Sequence, residues 1–355
     1  MRCLPTNKVS LANGRCLHDW HAEVIAVRSF NLFLVQECSD LATNAAISSK
    51  YVRRRHEDEK SESSHQPFAI KDDVRIHMYC SEAPCGDASM ELIINQQMDP
   101  APWPASPTSN QNYKLLNGRG HFAELGAVRR KPSRGDAPET LSKSCSDKLA
   151  MKQCTSLLSS LSYLLLSPRK AYLHELILPS SQHIPAATRR AFDSTGRMSE
   201  LTFVDGSLRS WPGGFAFRSF GISRTLEEFA YSRRHAALAH KPVGSNLSSM
   251  WTPNQQEVLI GGVLQGHRQF SSRGSSVVCK ARMWKAVLDV AEMLAFPVLI
   301  EALKQERYVD VKQGDLLRPR RDVKEEVKNR ALKNWQPNSG DEIFHLGLGL
   351  DGSNC

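Results

Sequence analysis

Two histidines and a glutamate lie within six positions of one another in the stretch CLHDWHAEVIA, residues 16–26. Metalloprotease helices carry their paired histidines four residues apart, so that both side chains lie on one face and bind one zinc ion. His18 and His21 are only three apart, and Glu23 follows His21 by two positions, about 200° around a regular helix. If this stretch binds a metal, the remaining ligands must come from elsewhere in the chain.

Two remote cysteines are candidates for those ligands because both are expected near helix starts. Cys85 follows a predicted strand in the turn PCGD, and Cys145 opens a predicted helix in SKSCSDKLA. Unpaired backbone N–H groups and the helix dipole favour a thiolate at such positions. With His21, the two thiolates leave a fourth tetrahedral position for water, as in a catalytic zinc site. Weaker candidates are Cys80, Cys154, Cys3 and Cys16.

Glu23 is the candidate for proton transfer beside such a metal. Bound zinc lowers the pKa of its water to about 7, and a neighbouring carboxylate can take the proton and pass it to a substrate. Glu23 then has only to reach that water from the helix start, which explains its spacing from His21. Taken alone, His21 is more often a capping or surface residue and Cys85 an inert thiol. The two motifs together are far more specific.

Hydrophobic spacing predicts the elements that position these residues. Apolar residues recur at steps of three and four over 20–36, which predicts a buried helix with Asp19 as its N-cap. Alternation over 74–78 predicts a strand, and a second helix follows at 90–94. The polar run KYVRRRHEDEKSESSHQ, residues 50–66, is expected to be an exposed loop.

The bulk composition is typical of a globular protein. Of the 355 residues, 41% are hydrophobic and 23% charged, and no apolar run approaches the roughly 20 residues that span a bilayer. The amino terminus has no apolar secretory signal, so we expect an intracellular protein, nuclear or cytoplasmic, with no membrane partner. Nine irregularly spaced cysteines indicate free thiols or metal ligands, and the net charge of +9 suggests a polyanionic partner.

No internal repeat or strong linker divides the sequence. We therefore expect a single elaborated domain over residues 1–355. Residues 98–113 are rich in proline, serine and asparagine, which predicts a surface insertion in that domain.

Four segments together resemble the eukaryotic adenosine deaminases that act on RNA, and most closely their tRNA-specific branch. They are HDWHAEVIAVRSF, SEAPCGDASM, LGAVRRKPSRGDAP and SKSCSDKLA, and the similarity extends from about Arg2 to Trp335. Zinc deaminases carry the signature H-x-E followed by P-C-x-x-C, but here Ala88 occupies the place of the second cysteine. The third ligand must therefore be remote, and Cys145 is our choice.

The resemblance implies a cytidine-deaminase-like α/β (α+β) fold, with a three-layer αβα core, a mixed sheet and a helical C-terminal half. It implies zinc-dependent hydrolytic deamination of adenosine to inosine in tRNA, at the adenosine 3′ to the anticodon (position 37) of alanine tRNA. His21, Cys85 and Cys145 would bind Zn²⁺, and Glu23 would shuttle the proton. The anticodon loop of that tRNA would be the partner, and no obligate protein partner is evident.

The resemblance also implies a buried inositol hexakisphosphate. Asp19 and Lys148 would connect this polyanion to the zinc site. Composition alone favours a solvated amphipathic face over residues 304–333. Met151 stands where related RNA editors carry an arginine, which leaves one contact of the family unaccounted for. By match to the family's motifs, the ligands would be Arg28, Lys148, Tyr308, Lys312, Lys324 and Trp335.

Two other functions remain open, a deaminase of another RNA and a catalytically inactive RNA-binding homologue. No double-stranded-RNA-binding module is recognisable, and the intact zinc and proton-transfer residues argue against inactivity. The family normally has a further segment before the position of Arg2. A chain without it is expected to expose apolar surface and sheet edge and to be poorly soluble.

Overall fold

Helices and several small sheets make up the structure, a computed structural model that describes residues 2–44, 46–95, 116–117, 124–131, 137–203, 205–232, 234–235 and 245–346. This combination confirms the predicted α/β fold class. The predicted insertion at 98–113 lies outside the described residues.

The helices differ greatly in length, and the first is the longest of those described. They are α1 (Ala22–Thr43), α2 (Met90–Asn95), α3 (Cys145–Thr155), α4 (Ser160–Leu165), α5 (Pro185–Phe192), α6 (Lys280–Met293), α7 (Pro297–Leu303), α8 (Tyr308–Gln313) and α9 (Arg318–Arg330). Short 3-10 turns lie at Thr6–Leu11, Glu57–Glu59, Asp87–Ser89, Pro168–Lys170, Ser180–Gln182, Ser199–Leu201, Pro212–Gly214, Ser272–Gly274 and Asp315–Leu317.

The strands are short and fall into five small sheets in the described ranges. They are β1 (Val52–Arg54), β2 (Phe68–Ile70), β3 (His77–Tyr79), β4 (Leu116–Asn117), β5 (Arg129–Arg130), β6 (Glu175–Pro179), β7 (Ser210–Trp211), β8 (Phe215–Ala216), β9 (Gly221–Thr225), β10 (Leu247–Thr252), β11 (Gln255–Ile260) and β12 (Val263–Leu264).

The central sheet has the strand order β3-β6-β9, and its three strands are parallel. Tyr79 is paired with Ile177, and Ile177 with Ser223. Because the strands are parallel, the carboxyl ends of β3, β6 and β9 lie together along one edge of the sheet. Cys85 follows the end of β3, so this carboxyl edge is where the candidate site begins. Ligands of open parallel α/β sheets bind at that edge.

Helix α1 provides the main support for the site. It buries one face, including Ile25, Leu32 and Val35, and packs against α6 and β10. It begins at Ala22, and its N-cap is His21. The prediction that Asp19 is the N-cap is therefore wrong, because the observed N-cap lies two residues later. The Asp19 carboxylate accepts a hydrogen bond from the backbone N–H of His21 at 3.0 Å, and so acts just ahead of the helix.

The expected exposed loop at 50–66 is wrong in part. Its residues Val52–Arg54 form strand β1, which pairs antiparallel with β2. Arg55 is buried, because its guanidinium donates to the carbonyls of Ser64 at 3.0 Å and Gln66 at 2.8 Å. A charged group that is hydrogen-bonded to backbone carbonyls can be buried in the protein interior. The composition of the segment does not reveal such hydrogen bonds.

Aromatic packing closes the C-terminal part of the core. Trp284 is fully buried, and the stacked rings of Tyr308 and Phe344 lie 4.8 Å apart beside it. This cluster joins α6, α8 and the segment after α9. Within the described ranges, no helix is both long and apolar enough to cross a membrane.

Candidate active site

His21 is held in place by Asp19, two residues earlier. Oδ1 of Asp19 lies 2.9 Å from Nδ1 of the His21 ring and also accepts the backbone N–H of His21. A carboxylate in this position fixes the orientation of an imidazole, as carboxylates do behind metal-bound histidines. Burial lowers the pKa of His21, but hydrogen bonds to Asp19 and Cys3 outweigh it and raise the pKa to about 10. A metal ion at His21 must therefore displace a proton.

Cys85 and Cys145 are brought together although sixty positions separate them. The backbone N–H of Cys145 points at Sγ of Cys85 at 3.3 Å. Ser146 ties the two segments, because its hydroxyl donates to the Pro84 carbonyl at 2.9 Å and its backbone N–H donates to the Cys85 carbonyl at 3.0 Å. Cys145 is the first residue of α3, as predicted, whereas Cys85 precedes the turn Asp87–Ser89 rather than lying within a helix.

Gly86 makes this close approach of the two cysteine segments possible. It has a φ of 102°, which L side chains rarely adopt. A Cβ atom there would also collide with the side chain of Ser144, the N-cap of α3. Any side chain at position 86 would separate Cys85 from Cys145.

The pKa values of the two thiols are shifted in opposite directions. A hydrogen bond from Cys145 and the positive charges of Lys131 and His21 lower the pKa of Cys85 to about 6, against the effect of burial. The same hydrogen bond, together with burial, raises the pKa of Cys145 well above its usual range. The surroundings therefore favour the thiolate form of Cys85 over that of Cys145. A dication beside both sulfur atoms would complete the deprotonation.

Glu23 lies in the first turn of α1, half-buried, and lines the same cavity as Cys145. Its charge acts on both Cys85 and Cys145, raising their pKa values. Of the four residues named from sequence, Cys85 and Cys145 are in contact, and Glu23 lines a cavity with Cys145. The charge of His21 acts on Cys85, but the donor atoms that lie within 4.8 Å of one another around His21 in the described ranges are those of Cys3 and Asp19. An imidazole and two thiols are the ligand types of a catalytic zinc centre, with a carboxylate nearby to carry a proton.

A second group of possible ligands shares His21. Cys3 Sγ lies 3.7 Å from Nδ1 of His21, and the donor atoms of Cys3, Asp19 and His21 lie within 4.8 Å of one another. Asp19 is poorly placed to bind a metal, because both of its oxygens already accept hydrogen bonds. Oδ1 serves His21, and Oδ2 serves Lys131, Lys148 and Ser142. We therefore favour the set with the two later cysteines.

Lys131 is the residue that sequence reasoning missed. Its side chain is 5% exposed, and its ammonium lies 2.8 Å from Oδ2 of Asp19 and 3.2 Å from Sγ of Cys145. Burial lowers the pKa of Lys131, but the negative charges of Cys145 and Asp19 raise it well above its usual range. The only hint in the sequence was a lysine in a basic loop, a pattern that more often indicates a solvated surface.

Asp19 also links the cysteine segments to the basic wall of the cavity that Glu23 and Cys145 line. Its Oδ2 forms an ion pair with Lys148, which lines that cavity and also donates to Ser142 at 2.8 Å. Burial raises the pKa of Asp19, but Lys148 and Lys131 hold it well below its usual range. The connection expected between Asp19 and Lys148 is therefore present in the structure.

The cavity is a basic chamber of about 320 Å³ between α1, α3, α6 and α9. Its walls include five of the six residues predicted to hold a polyanion, namely Arg28, Lys148, Tyr308, Lys324 and Trp335. Lys312 does not line it; its ammonium donates to Ser160 Oγ at 2.5 Å. The expectation of a solvated face over residues 304–333 is wrong for Tyr308 and Lys312, which are buried and half-buried.

Three further cations of the cavity wall were not predicted. Lys152 donates to the carbonyls of Leu157 and Leu158 at 2.9 and 2.7 Å, and Lys280 forms an ion pair with Asp341 at 3.1 Å. Arg320 is 6% exposed, and its buried Nε has no hydrogen-bond partner among the described residues. Met151 lies in the same wall and adds no charge.

These cations repel one another in a low-dielectric space. Burial, and then the charges of Arg320 and Lys324, lower the pKa of Lys152 well below its usual range. Burial, and then the charges of Lys324 and Arg320, also lower the pKa of Lys312 well below its usual range. Burial and the charge of Arg320 lower the pKa of Lys324 to about 8. Buried cations of one sign are costly unless an anion lies among them.

His18, the other histidine of the opening motif, has a structural role. Its Nε2 lies 2.8 Å from Oδ2 of Asp341, and its Nδ1 lies 3.3 Å from the Asn338 amide. Asp341 also accepts the backbone N–H of Gly14 at 2.6 Å and an ion pair from Lys280. His18 therefore belongs neither to the metal site nor to the exposed surface.

The fold and the residue types gathered beside the sheet are those of the hydrolytic deaminases of nucleobases. The sequence model of the adenosine-deaminase (editase) domain matches residues 1–339. The chain belongs to this family, whose members are hydrolytic deaminases of adenosine.

Relatives of two kinds share this similarity. The chain is 30% identical over 348 residues to tRNA-specific adenosine deaminase 1 of Schizosaccharomyces pombe, covering 97% of this chain and 82% of that protein. It is 32% identical to tRNA-specific adenosine deaminase 1 of Saccharomyces cerevisiae over 51% of this chain and 44% of that protein. The double-stranded RNA-specific editase Adar of Drosophila melanogaster is 27% identical over 51% of this chain, but only 26% of its own length.

Proposed function

We propose that this protein converts adenosine to inosine in tRNA, with the adenosine 3′ to the anticodon of alanine tRNA, position 37, as its target. The observation that carries the substrate class is the similarity to a tRNA-specific deaminase across 97% of the chain. Similarity to double-stranded-RNA editases is lower, 27% over 51% of the chain for the Drosophila melanogaster protein and 22% over 79% for editase B2 of Mus musculus. An anticodon loop offers its bases without a complementary strand, which lowers the cost of unstacking the target.

The proposed chemistry follows from the residues at the helix starts. A zinc ion held by His21, Cys85 and Cys145 would supply a water acidified to near-neutral pKa. Glu23 would take one proton from that water and deliver it to N1 of adenine as the oxygen adds to C6. It would then take the proton of the new C6 hydroxyl and pass it to the exocyclic amine, which leaves as ammonia, so that adenosine and water give inosine and ammonia.

Asp19 and Lys131 support this chemistry without touching the substrate. Asp19 holds the His21 ring through Nδ1, and Lys131 places a positive charge beside Cys145. A fixed cation next to the sulfur atom favours its thiolate form, which is the form that binds a metal. Both are positioning residues of the proposed centre.

We further propose that the basic chamber binds inositol hexakisphosphate. Buried cations line it with mutually lowered pKa values. The terminal nitrogens of Arg320 donate to the Thr155 and Leu158 carbonyls, and its buried Nε has no partner in the described part of the chain. Such a set fits a compact polyanion. Lys152 and Arg320 lie in the same wall as Met151 and would replace the charge that related editors carry at that position.

The activity is tested by incubating the zinc-loaded protein with alanine tRNA and reading inosine by sequencing. We expect inosine at the adenosine 3′ to the anticodon and none in a perfect RNA duplex. Conversion of the duplex but not of the tRNA would overturn the substrate proposal. Absence of inosine in every RNA would overturn the catalytic one.

The polyanion is tested without reference to activity. Denatured and digested protein should release about six phosphates per chain. Protein that is folded and free of phosphate as purified, before any step that strips an anion, would contradict the proposal. Phosphate retained after Arg320→Gln in the same amount as in the unaltered protein would contradict the replacement role of Arg320.

A further inference from the structure

An exposed aromatic cluster lies beside the loop that carries Cys85. Leu226 and Tyr231 are 90% and 86% exposed, and Phe229 is 49% exposed. The rings of Phe229 and Tyr231 meet edge to face with centroids 5.6 Å apart. Scattered exposed apolar residues are normal on a protein surface, but three within six positions form a patch that calls for a function.

The segment that carries these rings is anchored. Ser232 is buried, and its backbone N–H donates to the Phe229 carbonyl at 2.8 Å to close a turn. Arg234 lies between two carboxylates, 2.7 Å from Glu228 and 3.0 Å from Glu82. The rings are therefore presented on a fixed turn.

The anchors lead directly to the candidate active site. Arg234 also donates to the Ser81 carbonyl at 2.9 Å, and Ser81 and Glu82 lie between the end of β3 and Cys85. Glu82 and Cys85 are three positions apart, a span of at most about 11 Å between Cα atoms. On its other side the segment follows β9, which ends at the same sheet edge as β3. The cluster therefore lies within a few nucleotide lengths of the proposed zinc centre.

The chemistry of the patch favours a nucleobase as its occupant. The charge of Arg234 is used by Glu228 and Glu82, so what the patch offers is ring faces rather than a free cation for phosphate. When a deaminase unstacks its target, the neighbouring bases lose a stacking partner. Aromatic side chains replace that partner regardless of base identity.

We propose that Phe229 and Tyr231 form a stacking platform for an unpaired base that flanks the target adenosine. This inference rests on the proposed RNA substrate. The platform binds and orients the RNA and takes no part in proton transfer.

The test compares Tyr231→Ala with the conservative variant Tyr231→Phe and with Trp251→Ala, which removes a 70% exposed ring on β10. Loss of one stacked base weakens binding by about tenfold. We expect Tyr231→Ala to raise the KM for tRNA and the Kd for a fluorescent anticodon stem-loop by about that factor, with kcat unchanged. Tyr231→Phe and Trp251→Ala should bind the RNA as the unaltered protein does.

RNA lacking single bases identifies the partner of the platform. An abasic nucleotide at one flanking position should weaken binding to the unaltered protein by about tenfold and have no effect on binding to Tyr231→Ala. Equal affinities of Tyr231→Ala and the unaltered protein, or equal losses with every abasic RNA, would overturn the platform. If the unaltered protein makes inosine, such a result leaves the proposed function standing. Absence of inosine refutes the function instead.

Discussion

The ammonium of Lys131 lies 3.2 Å from Sγ of Cys145, inside the protein and 2.8 Å from Asp19. One buried cation thereby touches both a candidate zinc ligand and the carboxylate that orients another. Through Lys148, the same carboxylate reaches the basic chamber. The candidate zinc ligand Cys145 and the basic chamber are therefore connected by one buried charge network, so a change in one should be detectable in the other.

Asp19→Asn should strongly destabilise the protein. The substitution leaves Lys131 as a buried cation without its carboxylate, and breaking one side of a buried ion pair costs about 3–5 kcal/mol. The free energy of unfolding in urea measures the loss. Asp315→Asn, which removes the carboxylate of the exposed pair with Arg318, is the control and should cause no measurable change. Equal effects of the two substitutions would contradict the network.

Cys145→Ser should abolish zinc binding, whereas Cys3→Ser should leave about one zinc per chain. Both sulfur atoms lie near His21 or its partners, but only Cys145 also adjoins Cys85. Elemental analysis of the purified variants separates the two ligand sets. Zinc retained in Cys145→Ser and lost in Cys3→Ser would show that the set of Cys3, Asp19 and His21 holds the metal.

Glu23→Gln should lower kcat by about 10² to 10⁴, the usual contribution of a general acid–base group. The amide keeps the size of the side chain but cannot carry the proton. Zinc content and melting temperature should stay unchanged, because no described residue relies on Glu23 for a hydrogen bond or an ion pair. A variant that keeps full activity would remove Glu23 from the mechanism.

The stability of protein stripped of its anion should rise with pH above about 8. Burial and Arg320 lower the pKa of Lys324 to about 8, below its value in the unfolded chain. Between these values the unfolded state binds more protons, so the free energy of unfolding increases with pH. Melting temperatures of the stripped protein and of Lys324→Met should diverge below pH 8 and converge towards pH 10. Added inositol hexakisphosphate should stabilise the unaltered protein most below pH 8.

Local sequence signals revealed the elements and the candidate ligands, but not the contacts between them. The spacing of apolar residues predicted helix α1, and the contexts of Cys85 and Cys145 indicated two chemically suitable positions. The structure brings these cysteines together, and the zinc they are proposed to bind stays a prediction. The chamber residues on α8 and α9 came from family resemblance, since their composition alone suggested a solvated face.

The buried charged residues that the sequence did not reveal have a physical cause in common. Arg55 and Lys131 are charged residues in polar stretches, where solvent exposure is the ordinary expectation. Both are buried because distant groups accept their hydrogen bonds: the carbonyls of Ser64 and Gln66 for Arg55, and Asp19 for Lys131. Such pairings depend on tertiary structure, which no local pattern encodes. Arg320 was missed for the same reason, since the carbonyls of Thr155 and Leu158 accept its hydrogen bonds.

The hydrogen bond between His18 and Asp341 joins positions 323 residues apart. His18 lies three residues before His21. A chain emerges from the ribosome amino terminus first, so the segment that carries His21 is made early and its partner late. The anchor that Asp341 provides beside this segment can form only after residue 341 has been synthesised. We therefore expect the proposed metal centre to be completed at the end of synthesis rather than during it.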